Sequence, residues 1–275
     1  MKMIIKKKHT IKKKYGQHFL KDINLLKMIV NSSNLENENV VEVGPGKGAL
    51  TQFILPKAKK FLAYEIDSSF EEFLKFNLYS NFNIIYDDFL NRDLKKDFYK
   101  YFKKEKIILI GNLPYYIATP LLMKVLFLPQ VKLFTVMLQK EIALRIMSKE
   151  KLKSYNFLSV IFQSFTKIQK VKFVKRTMFF PVPKVDSIVL KFEKKTFSKE
   201  RQYFLENKFL KFVKASFLQK RKTLINNLNN YFNISKIKLL DFFDKYQISY
   251  NIRAEEIDFK TFQIISESFF LFFNL

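Results

Sequence analysis

Asn39-Val-Val-Glu-Val-Gly-Pro-Gly-Lys-Gly-Ala-Leu50 decides the fold of this 275-residue chain. The run Asn39 to Val43 is short, apolar and rich in β-branched residues, which predicts a buried strand. Gly44, Gly46 and Gly48 follow it, and an apolar helical pattern from Ala49 to Leu55 begins at once. A strand that passes through a glycine turn into a helix aims backbone N–H groups at whatever lies across the strand end. A nucleotide-like ligand belongs there. One glycine turn is a weak signal by itself, so the neighbouring strand ends decide what the ligand is.

All five glycines of the chain fall in three motifs, Gly16-Gln-His-Phe-Leu20, Glu42-Val-Gly-Pro-Gly-Lys-Gly48 and Gly111-Asn-Leu-Pro-Tyr115. Average usage of ~7 % would spread about 19 over such a length. Elsewhere the composition has drifted toward Lys, 44 of the 50 basic residues, and Phe, with 33. Glycines that persist through such drift sit where a side chain is not tolerated, which makes these loops the candidates for the working site.

Hydrophobic residues form 48 % of the chain, enough for one large domain with a smaller appendage. The absence of cysteine removes disulfides, thiolate metal sites, iron–sulfur clusters and a cysteine nucleophile, and fits a reducing compartment. His9 in a basic arm and His18 in a glycine loop are the only histidines, so neither a Ser-His-Asp arrangement nor a histidine metal cluster is expected. A net charge of +25 points to a polyanionic partner, nucleic acid first, because basic side chains gain affinity by releasing counterions from phosphates. No apolar run approaches the ~18 residues that cross a bilayer. Met1 to Lys14 carries seven lysines and reads as a flexible basic arm. The aromatic end, Phe269-Phe-Leu-Phe-Phe273, continues the helical spacing of Phe262 and Ile265 and is read as a docked terminal helix, not a membrane contact.

Strands are predicted at Asn39 to Val43, Lys60 to Ile66, Asn83 to Tyr86, Lys106 to Ile110, Lys132 to Leu138, Val171 to Lys175 and Ser187 to Phe192. Helices are predicted near Ala49 to Leu55, Ser68 to Leu78, Leu94 to Phe102, Thr119 to Leu126 and Lys140 to Met147. Such alternation implies an α/β fold with a mostly parallel seven-stranded sheet covered on both faces, its last two strands forming an antiparallel hairpin at one edge. Beyond Glu193 the strand signal stops and only helical periodicity remains, for instance Phe204, Phe209, Phe212 and Phe217. The expected borders are 1–15 for the arm, 16–195 for the ligand-binding domain and 196–275 for a small all-helical domain.

The second strand closes with Tyr64-Glu65-Ile66-Asp67, and Glu65 lies 21 residues beyond Gly44. An acid there accepts hydrogen bonds from both ribose hydroxyls of a nucleoside. NAD and S-adenosylmethionine share that geometry. The third strand end, Tyr86-Asp87-Asp88-Phe89, separates them: Asp88 can accept from an exocyclic adenine amine while Phe89 packs on the ring, against the plainer reading of a turn aspartate. The fourth strand end supplies Gly111-Asn-Leu-Pro-Tyr115. An adenine amine is a poor nucleophile because its lone pair is delocalised into the ring. If Asn112 Oδ1 and the Leu113 carbonyl accept its two hydrogens, the nitrogen turns toward tetrahedral geometry and its lone pair can face a sulfonium methyl. Pro114 stiffens the loop and Tyr115 offers a face for the base. Phe179, ahead of the stiff Pro181-Val-Pro183 loop, is expected as a second wall opposite Tyr115. Extruding a base costs a few kcal/mol, and aromatic stacking returns roughly 1 to 3 kcal/mol per base.

Together these motifs resemble the ribosomal RNA adenine dimethyltransferase family of class I, Rossmann-like methyltransferases, from Gly16 to about Ile265. Gly-Gln-x-Phe-Leu at 16–20, Glu-x-Gly-Pro-Gly-x-Gly at 42–48, Asn-Leu-Pro-Tyr at 112–115 and Phe-x-Pro-x-Pro-Lys-Val-Asp-Ser at 179–187 carry the likeness. The resemblance implies that His18, Leu20, Gly44, Glu65, Asp88 and Asn112 contact S-adenosylmethionine, and that Asn112, Leu113, Pro114, Tyr115 and Phe179 hold the adenine. The family also contains enzymes that methylate one adenine of large-subunit RNA. Ser216-Phe-Leu-Gln-Lys-Arg-Lys-Thr-Leu224 and Arg253-Ala-Glu-Glu-Ile257 are similar to the small-subunit branch.

The implied substrate is a pair of adjacent adenosines in the helix nearest the 3′ end of small-subunit rRNA, in an immature subunit, each receiving two methyls on N6. Lys220, Arg221 and Lys222 would meet the RNA backbone. By this reading the protein is a cytoplasmic monomer that uses neither metal nor membrane, with an organelle as the alternative location if the lysine arm is a cleaved targeting segment. A ribosome-assembly factor with dispensable catalysis, and an adenine methyltransferase of large-subunit RNA or DNA, are the alternative functions. Position 18 is usually asparagine in the family; histidine here keeps a hydrogen-bonding group and adds a titratable one.

Overall fold

The computed structural model describes residue 12, residues 17–76 and residues 79–275. Apart from Lys12, the arm assigned to 1–15 lies outside the described residues, as does Gly16. The chain divides into two compact units, Met1–Ala143 with Gln169–Lys194, and Leu144–Ile168 with Lys195–Leu275. Residues 144–168, which the sequence borders assign to the first domain, thus group with the C-terminal helices.

The strands are β1 (Phe19–Leu20), β2 (Asn39–Val43), β3 (Lys60–Glu65), β4 (Phe82–Tyr86), β5 (Ile107–Asn112), β6 (Val131–Gln139), β7 (Thr166–Val174), β8 (Phe179–Phe180) and β9 (Ser187–Lys194). Seven of them form one sheet in the order β4-β3-β2-β5-β6-β9-β7, and β1 pairs separately with β8. The run from β4 to β6 is parallel, while β9 inserts antiparallel beside β6 and leaves β7 at the edge. Every residue of β2 is buried, as a central parallel strand with both faces covered requires.

Helix α1 (Ile23–Asn31) starts where the Asp22 carboxylate accepts from the Leu25 N–H at 2.8 Å. Its apolar side, Leu25, Leu26, Ile29 and Val30, joins a core with Val40, Ile108 and Ile110. α2 (Thr51–Ile54), α3 (Leu94–Phe102), α4 (Ala118–Leu126) and α5 (Lys140–Met147) follow in chain order. α2 is shorter than its sequence pattern, and the stretch predicted as a helix from Ser68 is a 3₁₀ segment, Ser68–Phe73, capped by Asp67. Neither α1 nor α6 (Phe157–Phe165) stands among the predicted helices. α6 is apolar almost throughout, so no period separates it from a buried strand; its start is marked only by the reciprocal Asn156 and Ser159 cap.

The second unit continues with α7 (Lys199–Phe204), one π-helical turn, α8 (Leu210–Ser216), α9 (Leu224–Phe232), α10 (Lys236–Lys245) and α11 (Phe259–Phe272). Phenylalanine fills its core. The Phe269 ring stands 5.1 Å from Phe212, 5.0 Å from Phe232 and 5.6 Å from Phe242. Such aromatic pairs add about 0.5–1.5 kcal/mol each beyond the area they bury. The apolar end of the chain is therefore a docked helix, as its spacing predicts. Among the described residues no helix is long and apolar enough to cross a membrane.

Candidate active site

A cavity opens over the carboxyl ends of β2, β3 and β5, bounded also by the loop after β4 and by residues 17–20. The register keeps these ends level: Val43 pairs with both Tyr64 and Gly111, and Glu65 with Tyr86. Gly44 turns the chain away at φ +71°, and its N–H donates to the Tyr64 carbonyl at 2.9 Å. A Cβ at Gly44 would stand 3.8 Å from the Asn112 carbonyl oxygen, so the tips of β2 and β5 lie side by side. Gly111 permits that approach, since a Cβ there would meet the Val43 carbonyl oxygen at 2.7 Å.

Acids line the β3 and β4 side. Glu65 is 5 % exposed, and its Oε2 and Oε1 accept from the Gly46 and Asp67 N–H groups, both at 2.9 Å. Burial raises the pKa of its carboxyl more than these backbone bonds lower it. Further lone pairs on both oxygens remain for a ligand. Asp88 Oδ1 accepts from the Leu90 N–H at 2.9 Å and Oδ2 from Asn91 Nδ2 at 3.1 Å, so it caps its turn while lining the cavity. Asp87 beside it pairs with Arg92 at 3.3 Å. Phe89 is buried edge-on against Tyr64, their rings 5.1 Å apart.

Asn112 holds the opposite wall. Its Nδ2 donates to the His18 carbonyl at 3.0 Å, which orients the amide and leaves Oδ1 without a protein partner among the described residues. Leu113 is buried, and Leu113, Pro114 and Tyr115 all line the cavity. The Tyr115 hydroxyl shares a 2.7 Å hydrogen bond with Ser187 Oγ, and burial pushes its pKa up. His18 lies against the Tyr115 ring, centroids 5.7 Å apart at 27°, and its Nδ1 meets the Pro181 carbonyl at 2.8 Å. That contact makes Nδ1 the protonated nitrogen. Leu20 lines the cavity from β1.

Phe179 is placed differently from its expected role. Opposite Leu20 in the β1–β8 pair it turns inward, 3 % exposed, into the core and not onto the cavity. Strand alternation sends its neighbour Phe180 outward, 53 % exposed, under Lys21 Nζ at 4.3 Å from the ring centroid. The ring that faces Tyr115 is His18.

Several residues of consequence escaped the sequence reading. Glu42 lies buried on the cavity floor, where Thr51 Oγ1 donates to its Oε2 at 2.7 Å. Burial, opposed by that hydroxyl and reinforced by Glu65, pushes the Glu42 carboxyl up to about 8. Ile66 presents an exposed apolar side chain to the cavity rim. Gln17 Nε2, at 2.9 Å, and Lys12 Nζ, at 2.6 Å, both bind the Asp67 carboxylate, whose pKa burial would raise but these donors and Ser69 hold well below the usual range. In the second unit, buried Asn227 donates to the Ser216 and Gln219 carbonyls at 2.8 and 3.1 Å and accepts from the Gln219 N–H at 3.1 Å. It thereby pins the turn that carries the exposed Lys220, Arg221 and Lys222. A lone asparagine inside a helix gives no sequence signal for such a task.

A parallel sheet with one antiparallel strand inserted next to the edge, and its ligand cavity over the central strand tips, is the architecture of a class I methyltransferase; this protein is a methyltransferase. A family model described as ribosomal RNA adenine dimethylase matches residues 8–269. The chain belongs to that family. It is 52 % identical over 268 residues to the ribosomal RNA small subunit methyltransferase A of Onion yellows phytoplasma (strain OY-M), covering 97 % of this chain and 99 % of that protein. The protein of the same name from Mycoplasma mobile is 41 % identical over 261 residues, 94 % of this chain and 97 % of the relative. Among solved structures, a dimethyladenosine transferase from Plasmodium falciparum superposes with a TM-score of 0.79 at 26 % identity, over 92 % of this chain and 98 % of the other. The 23S rRNA methyltransferase ErmE shares the fold, with a TM-score of 0.66 at 21 % identity over 91 % and 98 % of the two chains.

Proposed function

We propose that the protein dimethylates N6 of two adjacent adenosines in the 3′-terminal helix of small-subunit rRNA during subunit maturation, with S-adenosylmethionine as methyl donor. The names of the phytoplasma and Mycoplasma relatives support the choice of subunit, and that of the Plasmodium protein supports the product. The observation that carries the chemistry is the Asn112 amide: its Nδ2 is committed to the His18 carbonyl, so its Oδ1 is the acceptor offered beside Gly44.

The cavity fits the donor. Glu65 is a buried acceptor at the place a ribose would occupy, and the missing side chain at Gly44 leaves room between the β2 and β5 tips. Gly44, Glu65 and Asp88, with His18 and Leu20, would hold S-adenosylmethionine, which supplies an electrophilic sulfonium methyl when bound. Asn112 Oδ1 and the Leu113 carbonyl accept the two hydrogens of the adenine amine and free its lone pair from the ring. Pro114 keeps that pair of acceptors fixed, and the Tyr115 face, backed by His18, receives the extruded base. Lys220, Arg221 and Lys222, on the turn held by Asn227, serve as phosphate contacts in the helical unit. The test is incubation with immature small subunits and methyl-labelled donor. Dimethyladenosine in the digested rRNA is expected, and its absence refutes the proposal.

A further inference from the structure

We infer that Glu42 is the counter-ion of the cationic methyl donor and surrenders a proton as the donor enters. The inference rests on the methyl-donor reading of the cavity and adds to it a chemical step that the proposed transfer does not use.

Glu42 is 1 % exposed, yet its side chain borders the cavity. Thr51 Oγ1 of α2 donates to Oε2, while Oε1 has no protein partner among the described residues. From β3 the charged neighbour is Glu65, whereas β5 places uncharged Ile110 in register with Glu42. Asp87 and Asp88 line the same cavity from beyond β4, as do His18 ahead of β1 and the phenols of Tyr64, Tyr115 and Tyr116. No lysine or arginine among the described residues lines it. In a chain of net charge +25, a cavity bordered by four carboxyls and no basic chain selects a cation.

Two buried carboxyls that share a cavity resist ionising together. Glu65 receives two backbone N–H bonds and therefore carries the charge, while Glu42 has a single hydroxyl donor and keeps the proton. A carboxyl raised to about 8 is mostly protonated at neutral pH. A positive ligand brought next to it favours the carboxylate, and the O–H proton passes to buffer. The step is balanced: the Glu42 acid and the cationic donor become the Glu42 carboxylate paired with the donor, plus one proton in solution. The demethylated product carries one positive charge fewer, so its binding releases less.

Isothermal titration of S-adenosylmethionine and S-adenosylhomocysteine at pH 7, in phosphate and in Tris, reads this directly. Their ionisation enthalpies differ, so released protons appear as a buffer-dependent heat. We expect close to one proton per donor bound, a smaller number for the product, and none for Glu42→Gln, which should bind the donor roughly tenfold more weakly. Infrared spectra should show a protonated-carboxyl stretch in the ligand-free protein that donor abolishes and that Glu42→Gln lacks from the start. Binding with buffer-independent heat, or equal release from Glu42→Gln, overturns the inference while leaving the methyl-donor reading intact. Failure of the donor to bind overturns both.

Discussion

Replacing Gly111 with alanine would force the two central strand tips apart, and the size of that shift follows from the structure. The new Cβ would stand 2.7 Å from the Val43 carbonyl oxygen and 3.3 Å from Leu113 Cδ2. Leu113 can rotate away, but the Val43 carbonyl belongs to a strand in parallel register with Gly111 and cannot. Carbon–oxygen contacts settle near ~3.3 Å or beyond, so the tips must open by roughly 0.6 Å. Overpacking a buried site typically costs 1–3 kcal/mol, which predicts a melting temperature lower by several degrees. Gly44 and Asn112 directly follow the pair that is pushed apart. Since a misplacement of ~1 Å costs about 100-fold in rate, this opening should cost roughly ten- to twentyfold. Single-turnover methylation of immature subunits, run well below the melting transition of Gly111→Ala, gives the rate. Donor affinity, measured in parallel, should change much less because Glu65 and Asp88 stand on other strands. A folded Gly111→Ala protein with an unaltered single-turnover rate would show that the spacing of these tips does not govern transfer.

Glu42 also predicts a pH dependence of stability. Its carboxyl rises from 4.5 to about 8 on folding, so between those values the native state holds a proton that the unfolded chain has lost. Stability therefore falls as pH rises through that window, by at most about 5 kcal/mol, and urea unfolding of Glu42→Gln at pH 5 and pH 8.5 should lack this part of the slope. An unchanged slope in the variant counts against the assignment. Asn227→Ala leaves the Ser216 and Gln219 carbonyls without their donor and should cost about 1–3 kcal/mol. Its rRNA binding should weaken, with a shallower salt dependence, while donor affinity stays the same; loss of both together would indicate general unfolding instead. Asn112→Ala should lower the methylation rate by at least about 100-fold without changing rRNA affinity. Subunits that mature normally with this variant, and without dimethyladenosine, would make binding and not catalysis the function that matters.

The sheet was legible because its strands are short apolar runs with clear ends, and β2, α3 and α5 coincide with their predicted bounds. Gly44, Glu65, Asp88 and Asn112 were legible for a related reason: each ends a strand or follows one directly, and in a parallel sheet successive strand ends must meet at one edge. What could not be read is what depends on side-chain direction or on pairing across long sequence separation. The β1–β8 pair joins Phe19 to Phe180, and with it His18 to Pro181, across most of the first unit. The same pairing turns Phe179 into the core, although its motif was correctly singled out. Asp88 posed a choice between turn cap and ligand acceptor that the structure dissolves, because it caps with some lone pairs and faces the cavity with others.

The drift toward lysine and phenylalanine explains why a chain of such biased composition still has a readable site. Phenylalanine is tolerated wherever a core accepts edge-to-face rings, as around Phe212, Phe242 and Phe269. Lysine is tolerated on solvated surface, with its stem laid on apolar groups, as Lys47 reaches over the Phe19 and Phe73 rings at 5.2 and 5.4 Å. Neither replacement suits the cavity: a phenylalanine at Gly44 or Gly111 would collide with the neighbouring strand, and a lysine there would repel a cation. The outcome is a separation of sign, with basic side chains outside that attract a polyanion and four carboxyls inside that attract a positively charged donor. The two substrates are then drawn to different places by opposite charges, and the Asn112 amide stands on the wall of the acidic one.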